Sequence, residues 1–213
     1  ELEVAVLVLR SSGGDVRREL EVFMRVGRHH HLTRLLATTV NPEGMLCLLT
    51  EYAQLGSLDH VIGDCAEQET RVERAVLLAV ASQVCEGMRA LRLHGLVHRD
   101  LASRNVLVFG FDPRDAAKVL VKISDYGLTL KGGYGTGYVQ PGLSTDGGAG
   151  RGPVRWSSPE VLMAQRFGEK SDVWAFGVLL WEIWSECRIP FCLQPDDGKV
   201  AELVCEERRV LER

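Results

Sequence analysis

Two long apolar stretches in the second part of the chain constrain the fold more than any other feature. Residues 173–184 are apolar around nearly the whole circumference of a helix, and residues 72–93 repeat apolar side chains at helical spacing. A helix that is apolar on all sides is expected at the centre of a domain. The sequence therefore predicts a mainly helical unit built around 173–184.

The first quarter of the chain has a different character, because its apolar and β-branched residues occur in short runs. Short runs of this kind, bounded by turn residues, are typical of strands. The predicted elements are strands over 1–10, 32–40 and 45–52 and a helix over 16–28. We therefore expect an α+β protein in which a small strand-rich segment precedes a larger helical one.

Composition excludes several classes of protein. The 213 residues are 46% hydrophobic and 25% charged, which is the balance of a globular domain rather than a disordered chain. The formal net charge of -4 disfavours a nucleic acid polymer as partner, and no apolar run approaches the length of about 20 residues that spans a membrane. The six cysteines form no C-x-x-C pair, so we expect free thiols in a reducing compartment.

Four motifs carry the strongest chemical signal. The sequence reads HRDLASRN at 98–105, SDYG at 124–127, SSPE at 157–160 and KSDVWAFG at 170–177. The chain resembles a eukaryotic protein kinase, because these motifs match H-R-D-L-x-x-x-N, D-F-G and A-P-E in the family's order. The resemblance covers nearly the whole chain and implies a bilobal kinase-like fold, with a partial small antiparallel β lobe and a larger, mainly helical lobe.

The resemblance also implies the organisation of the chain. It places the partial small lobe, starting at the family's third strand, at 1–52, the hinge between the lobes at 53–56 and the large lobe at 57–213. The activation segment is expected over 125–160. The family's Gly-rich first strands and last helices have no counterpart in this sequence, so we expect it to be cut from a longer protein.

The implied chemistry is transfer of the γ-phosphate of ATP to a protein hydroxyl, with Mg²⁺ bound. Asp100 matches the carboxylate that orients the attacking hydroxyl and accepts its proton. Asn105 and Asp125 match the magnesium ligands, which are hard oxygen donors. Arg104 belongs to the same catalytic loop. Arg99 matches the arginine that binds a phosphate on the activation segment.

The strand that ends near residue 52 resembles the edge of the nucleotide site in the same family. Thr50 matches the gatekeeper residue beside the pocket. Glu51, Tyr52 and Ala53 match the hinge, whose backbone hydrogen-bonds adenine, and Gly56 follows it. The resemblance therefore assigns these residues to ATP binding.

The acceptor predicted from the catalytic loop is tyrosine in a protein or peptide. Ala102 and Arg104, together with P-V-R-W before Ser157, resemble the tyrosine kinase pattern. A serine/threonine or dual-specificity kinase is the alternative. Tyr134 and Tyr138 lie in the glycine-rich activation segment and are candidate regulatory phosphorylation sites, with ordinary loop tyrosines as the alternative.

One position departs from the family. Leu7 stands where the family's V-A-I-K strand has the lysine that holds the nucleotide phosphates, and no lysine occurs before Lys118. The acidic partner of that lysine aligns with Glu19 or Glu21, and Glu19 is favoured. Loss of one such donor costs about a hundredfold to a thousandfold in rate. A pseudokinase that regulates a partner is therefore the second hypothesis.

We expect a cytoplasmic location, or the cytoplasmic side of a membrane receptor, and no membrane contact by this segment. The run His29-His30-His31 is not expected to bind a metal, because neighbouring loop histidines point apart and no carboxylate or cysteine completes the set.

Overall fold

The computed structural model describes residues 3–8, 14–131, 138–139, 153–206 and 211. The strands are β1 Val4–Val8, β2 Leu35–Val40, β3 Leu46–Glu51, β4 Leu96–Val97, β5 Val106–Gly110, β6 Leu120–Ile123, β7 Leu130–Lys131, β8 Tyr138–Val139 and β9 Arg166–Phe167. The helices are α1 Gly14–Val26, α2 Leu58–Glu67, α3 Arg74–Leu93, α4 Pro159–Ala164, α5 Glu169–Trp184 and α6 Asp197–Cys205. Short 3₁₀ helices lie at Ser103–Asn105, Ala116–Lys118 and Val154–Trp156.

The small lobe is an antiparallel sheet with strand order β1-β3-β2, and helix α1 connects β1 to β2 in the sequence. Leu7 lies opposite Leu48, and Ala5 lies opposite Thr50. Because side chains alternate along a strand and directly opposed residues share a face, these four residues line one face of the sheet. The three strands and the helix predicted for this region are confirmed, but β2 and β3 are shorter than predicted and α1 begins and ends two residues earlier than the predicted 16–28.

The large lobe is built on the two predicted long helices, α3 and α5, which contact each other. Gly87 of α3 permits a close approach of the loop that precedes β2. A Cβ atom at this position would lie 2.7 Å from the carbonyl oxygen of His31 and 2.8 Å from Cδ1 of Ile123. The absence of a side chain at Gly87 therefore allows the small lobe to pack directly on α3.

Helix α5 is buried on one face only, which corrects the expectation that all its faces are covered. Its inward face includes Asp172, Leu179 and Ile183, whereas Val173 is 60% exposed and Trp184 is also exposed. The reason is that no element among the described residues packs against this second apolar face. Within the same residues, no helix is both long and apolar enough to cross a membrane.

The larger of two hydrophobic clusters among the described residues extends through both lobes and positions the site between them. It joins Phe23 of α1 and Leu48 of β3 to Leu91 of α3 and Leu179 of α5. The lobes are also joined through the backbone, because Ile123 donates to the carbonyl of His31 at 3.0 Å and accepts from the N–H of Thr33 at 2.9 Å. The end of β6 is therefore held against the entry to β2.

Candidate active site

The catalytic loop begins after β4 and is held by a buried carboxylate from α5. The backbone N–H groups of His98 and Arg99 donate to Asp172 at 2.8 and 3.0 Å. Arg99 has a positive φ of 73°, an uncommon conformation for a residue with a side chain. Burial raises the pKa of Asp172, while the nearby His98 and the two N–H donors favour its charged form. Asp172 therefore fixes the unusual turn that presents Asp100.

His98 connects the catalytic loop to the segment that carries Asp125. The backbone N–H of Asp100 donates to Nδ1 of His98 at 3.2 Å, so this ring nitrogen is the acceptor. The other nitrogen, Nε2, is then the donor to the carbonyl of Ser124 at 3.1 Å. His98 is completely buried and acts as a structural bridge, as its place in the motif implies.

Asp100 is held from two sides by residues of its own loop. Its carboxylate pairs with the Arg104 guanidinium, and its carbonyl accepts a hydrogen bond from Nδ2 of Asn105 at 2.7 Å. Arg104 in turn lies over the indole ring of Trp156, 4.5 Å from its centroid. The sequence-predicted residues Asp100, Arg104 and Asn105 therefore form one hydrogen-bonded unit.

Strand pairing brings Asn105 beside the segment that carries Asp125. Val106 lies opposite Ile123 in the antiparallel β5–β6 pair, so the residues just outside this pair are neighbours. Ser124 confirms the approach, because its N–H and hydroxyl donate to the carbonyl of Asn105 at 2.9 and 3.1 Å. The ends of the two strands therefore bring both predicted magnesium ligands to one edge.

The chemistry of this edge fits a magnesium ion. The amide nitrogen of Asn105 is bonded to Asp100, which leaves Oδ1 as the donor atom, and Asp125 presents an exposed carboxylate. Mg²⁺ is usually held by one or two protein oxygens together with water and phosphate oxygens. A cluster of three or more His, Cys, Asp or Glu suited to a metal is absent from the described residues, and a magnesium–phosphate site does not need one.

Tyr126 anchors the turn that contains Asp125. Its ring is completely buried and packs edge-on against Phe23 of α1, with centroids 4.9 Å apart, and it also faces His98. Its hydroxyl donates to the carbonyl of Ile123 at 3.0 Å, and burial raises its pKa. Asp125 itself has a positive φ of 60°. The tyrosine therefore holds this turn against the small lobe.

The small-lobe side of the site contains a buried acid and no lysine. Leu7 occupies the predicted lysine position and is 42% exposed. On α1, Glu19 points inward and is only 5% exposed, whereas Glu21 is exposed. Burial, and then the negative charge of Asp125, raise the pKa of Glu19 from 4.5 to about 7. Among the described residues, Glu19 has no hydrogen bond or ion pair with another group.

The hinge follows β3 and makes a tight turn. Thr50 is buried, Tyr52 is exposed, and Gly56, with a φ of 78°, donates from its N–H to the carbonyl of Ala53 at 3.0 Å. The N–H of Ala53 bonds to no backbone carbonyl in the part of the chain that is described. Adenine binding by this N–H therefore stays a prediction.

Sequence reasoning missed Glu182 of α5. This buried carboxylate accepts from the N–H and hydroxyl of Ser103, at 3.1 and 2.6 Å, and from Nε1 of Trp156 at 2.8 Å. Burial raises its pKa, and the three donors and Arg104 oppose this effect. The available signal was an acid inside an otherwise apolar run, since a buried acid nearly always has partners.

The activation segment is described only in part. Arg99 donates to the carbonyl of Leu128 at 3.2 Å, and its guanidinium lies over the ring of Phe167, 3.9 Å from the centroid. The backbone of Tyr138, in β8, pairs with Phe167 of β9. Tyr134 lies outside the described residues. The phosphate-binding role of Arg99 therefore stays a prediction.

Comparison with known proteins identifies the family. The family model described as "Protein tyrosine and serine/threonine kinase" matches residues 1–213. The human Tyrosine-protein kinase TXK is 33% identical over 193 residues, which are 89% of this chain and 33% of that protein. Tyrosine-protein kinase csk-1 of Caenorhabditis elegans is 34% identical over 191 residues, which are 89% of this chain and 32% of that protein.

The chain therefore belongs to the protein tyrosine and serine/threonine kinase family, and its two-lobed α+β structure is that of a protein kinase domain. It spans about a third of the length of the curated relatives that it matches.

Proposed function

We propose that this chain is the catalytic domain of a protein tyrosine kinase, which transfers the γ-phosphate of ATP to a tyrosine hydroxyl. The observation that carries the proposal is the grouping of Asp100, Asn105 and the Asp125 segment by hydrogen bonds and by the β5–β6 register. Phosphoryl transfer depends mainly on positioning and on charge stabilisation, which is what such a grouping provides.

Each residue of this group has a distinct task. The Asp100 carboxylate orients the attacking hydroxyl and accepts its proton, while Arg104 holds that carboxylate in place. The Oδ1 atom of Asn105 and the Asp125 carboxylate hold Mg²⁺, which supplies positive charge to the phosphate oxygens when bound. The free N–H of Ala53 binds the adenine ring, with Thr50 at the back of the pocket.

Tyrosine is the proposed acceptor for two independent reasons. Ala102 stands where serine/threonine kinases usually have lysine, and Arg104 completes the tyrosine-type loop. Both relatives described above carry the name tyrosine-protein kinase. We also propose that Tyr134 and Tyr138 are regulatory sites read by Arg99, and that the free cysteines reflect a cytoplasmic location.

The missing lysine lowers the proposed activity. Leu7 lies on the sheet face shared with Thr50 and supplies no charge to the phosphates, so a rate reduced by about a hundredfold or more is expected. A pseudokinase is the second candidate, and the observation that favours it is Leu7 at the lysine position, which leaves the buried Glu19 without an ion-pair partner among the described residues. Such a module regulates a partner through its shape and needs no transfer step.

A radiolabel transfer assay separates the two candidates. The full-length protein is incubated with Mg²⁺, γ-labelled ATP and poly(Glu,Tyr), and the same protein with Asp100→Asn is the control. The kinase predicts label on tyrosine that falls by about a hundredfold in the variant, because the positioned base is lost. Equal incorporation by both proteins rejects transfer by this site and leaves the pseudokinase.

A further inference from the structure

The hinge is fixed at its far end by strand β5. The carbonyl of Gly56 accepts a hydrogen bond from the N–H of Val108 at 2.8 Å. Ser57 forms an isolated antiparallel bridge with Leu107. The chain that leaves the hinge is therefore attached to the β5 half of the β5–β6 hairpin.

The near end of the hinge is fixed by a side chain. The Glu51 carboxylate accepts from Nζ of Lys122 at 2.6 Å and from the N–H of Arg34 at 3.2 Å. The side chains are 13% exposed for Lys122 and 23% for Glu51, so water screens the pair weakly. The Lys122 ammonium also lies over the ring of Phe109, 4.8 Å from its centroid.

Both fixed points belong to one hairpin. Lys122 of β6 lies opposite Leu107 of β5, and Leu107 is the residue that bridges to Ser57. From this geometry we infer that Lys122, through its ion pair with Glu51, is a positioning residue for the nucleotide: it holds the hinge backbone where the base binds.

The inference rests on the proposed function for its ligand and deepens it. In this chain Leu7 supplies no charge to the phosphates, so a larger share of nucleotide affinity must come from the adenine side. Affinity should then depend on how well the hinge backbone is preorganised, because ordering a binding segment in advance reduces the cost of binding. Lys122 provides that order without touching the ligand.

Two measurements on the full-length protein test this role. Hydrogen exchange of the backbone amides at 52–56 reports the order of the hinge without nucleotide, and titration with Mg²⁺ and the fluorescent analogue mant-ADP reports affinity. The test variants are Lys122→Met and Glu51→Gln. The matched control is Lys118→Met, which removes an exposed lysine paired with Asp112 on the same hairpin.

The expected result is faster exchange at 52–56 and about tenfold weaker mant-ADP binding in Lys122→Met, which corresponds to about 1.4 kcal/mol. Lys122→Arg should restore both, and Lys118→Met should change neither. If Lys122→Met does not fold, Glu51→Gln gives the same comparison, since it leaves the lysine on Phe109.

Unchanged exchange in a folded variant overturns the inference, and so does faster exchange with unchanged affinity. A wild-type protein that binds no mant-ADP and transfers no label to poly(Glu,Tyr) overturns the proposed function instead, because the exchange comparison still reports whether Lys122 orders the hinge.

Discussion

The two sides of the cleft differ in how their buried polar groups are paired. On the large-lobe side, Asp172 accepts two backbone N–H groups and Glu182 accepts three donors, so each carboxylate holds a defined piece of the catalytic loop. On the small-lobe side, Glu19 is equally buried, and the family's lysine position is Leu7. In the proposed function, the side assigned to the acceptor is therefore fully paired, and the side assigned to the phosphates has Leu7 in place of the expected cation.

This difference shows that burial alone does not determine whether the charged form of a carboxylate is stabilised. Burial raises the pKa of Glu182 as it does that of Glu19, but hydrogen bonds favour the charged form of Glu182. Among the described residues, the charge that acts on Glu19 is that of Asp125, which raises the pKa of Glu19 further. The same residue type therefore stabilises the structure on one side of the cleft and is a source of strain at neutral pH on the other.

The largest effect is expected on the paired side. Glu182→Ala leaves buried donors of Ser103 and Trp156 without an acceptor and should lower the free energy of unfolding by about 4 kcal/mol. Urea unfolding measures the change. The control is Glu202→Ala, on the exposed side of α6. An equal loss of unfolding free energy in both variants would contradict the claim that the hydrogen bonds of Glu182 stabilise the large-lobe side.

On the small-lobe side, the free energy of unfolding should depend on pH because of Glu19. The pKa of Glu19 is raised in the folded state, so its contribution to stability is complete below about pH 4.5 and is lost as the pH rises through about 7. Relative to Glu19→Gln, the wild type should lose at most about 3 kcal/mol over this window, since one pKa unit is about 1.4 kcal/mol. Chemical denaturation at a series of pH values measures it.

The control for this series is Glu21→Gln on the exposed side of the same helix. A stability difference between wild type and Glu19→Gln that is flat between pH 4.5 and 7 would show that Glu19 is paired or solvated after all.

A smaller effect on the free energy of unfolding is expected at Tyr126, which lies between the two sides of the cleft. Tyr126→Phe keeps the ring packed on Phe23 but removes the hydrogen bond to the carbonyl of Ile123. The free energy of unfolding should fall by about 1 kcal/mol, the usual net value of one buried hydrogen bond. Thermal unfolding of this variant, compared with Tyr52→Phe at the exposed hinge tyrosine, measures the effect. An equal change in both variants would show that the hydrogen bond of the Tyr126 hydroxyl does not stabilise the fold.

The sequence predicted much of this arrangement, because the motif around Asp100 and Asn105 and the motif around Asp125 carry their own chemistry. Short apolar and β-branched runs also predicted the three small-lobe strands, and helical periodicity predicted the long helices. These signals are local, so they do not depend on how distant segments pack.

Long-range pairing could not be predicted in the same way. The rotation of α1 about its axis, which turns Glu19 inward and Glu21 outward, depends on tertiary contacts such as that between Phe23 and Tyr126. The ion pair between Lys122 and Glu51 joins residues 71 positions apart, and only the fold brings them together. The apolar pattern of 173–184 predicted that α5 is covered on all sides, and this was wrong because coverage depends on which neighbours pack on the helix.

Replacement of Leu7 tests the contrast most directly. The side chain shares a sheet face with Leu48 and Thr50, so Leu7→Lys would place a cation on that face at the position of the family's lysine. The rate of poly(Glu,Tyr) phosphorylation should rise by about a hundredfold, and Asp100→Asn in the same background should abolish the gain. A folded Leu7→Lys protein with an unchanged rate would contradict the claim that only the phosphate side of this site is incomplete.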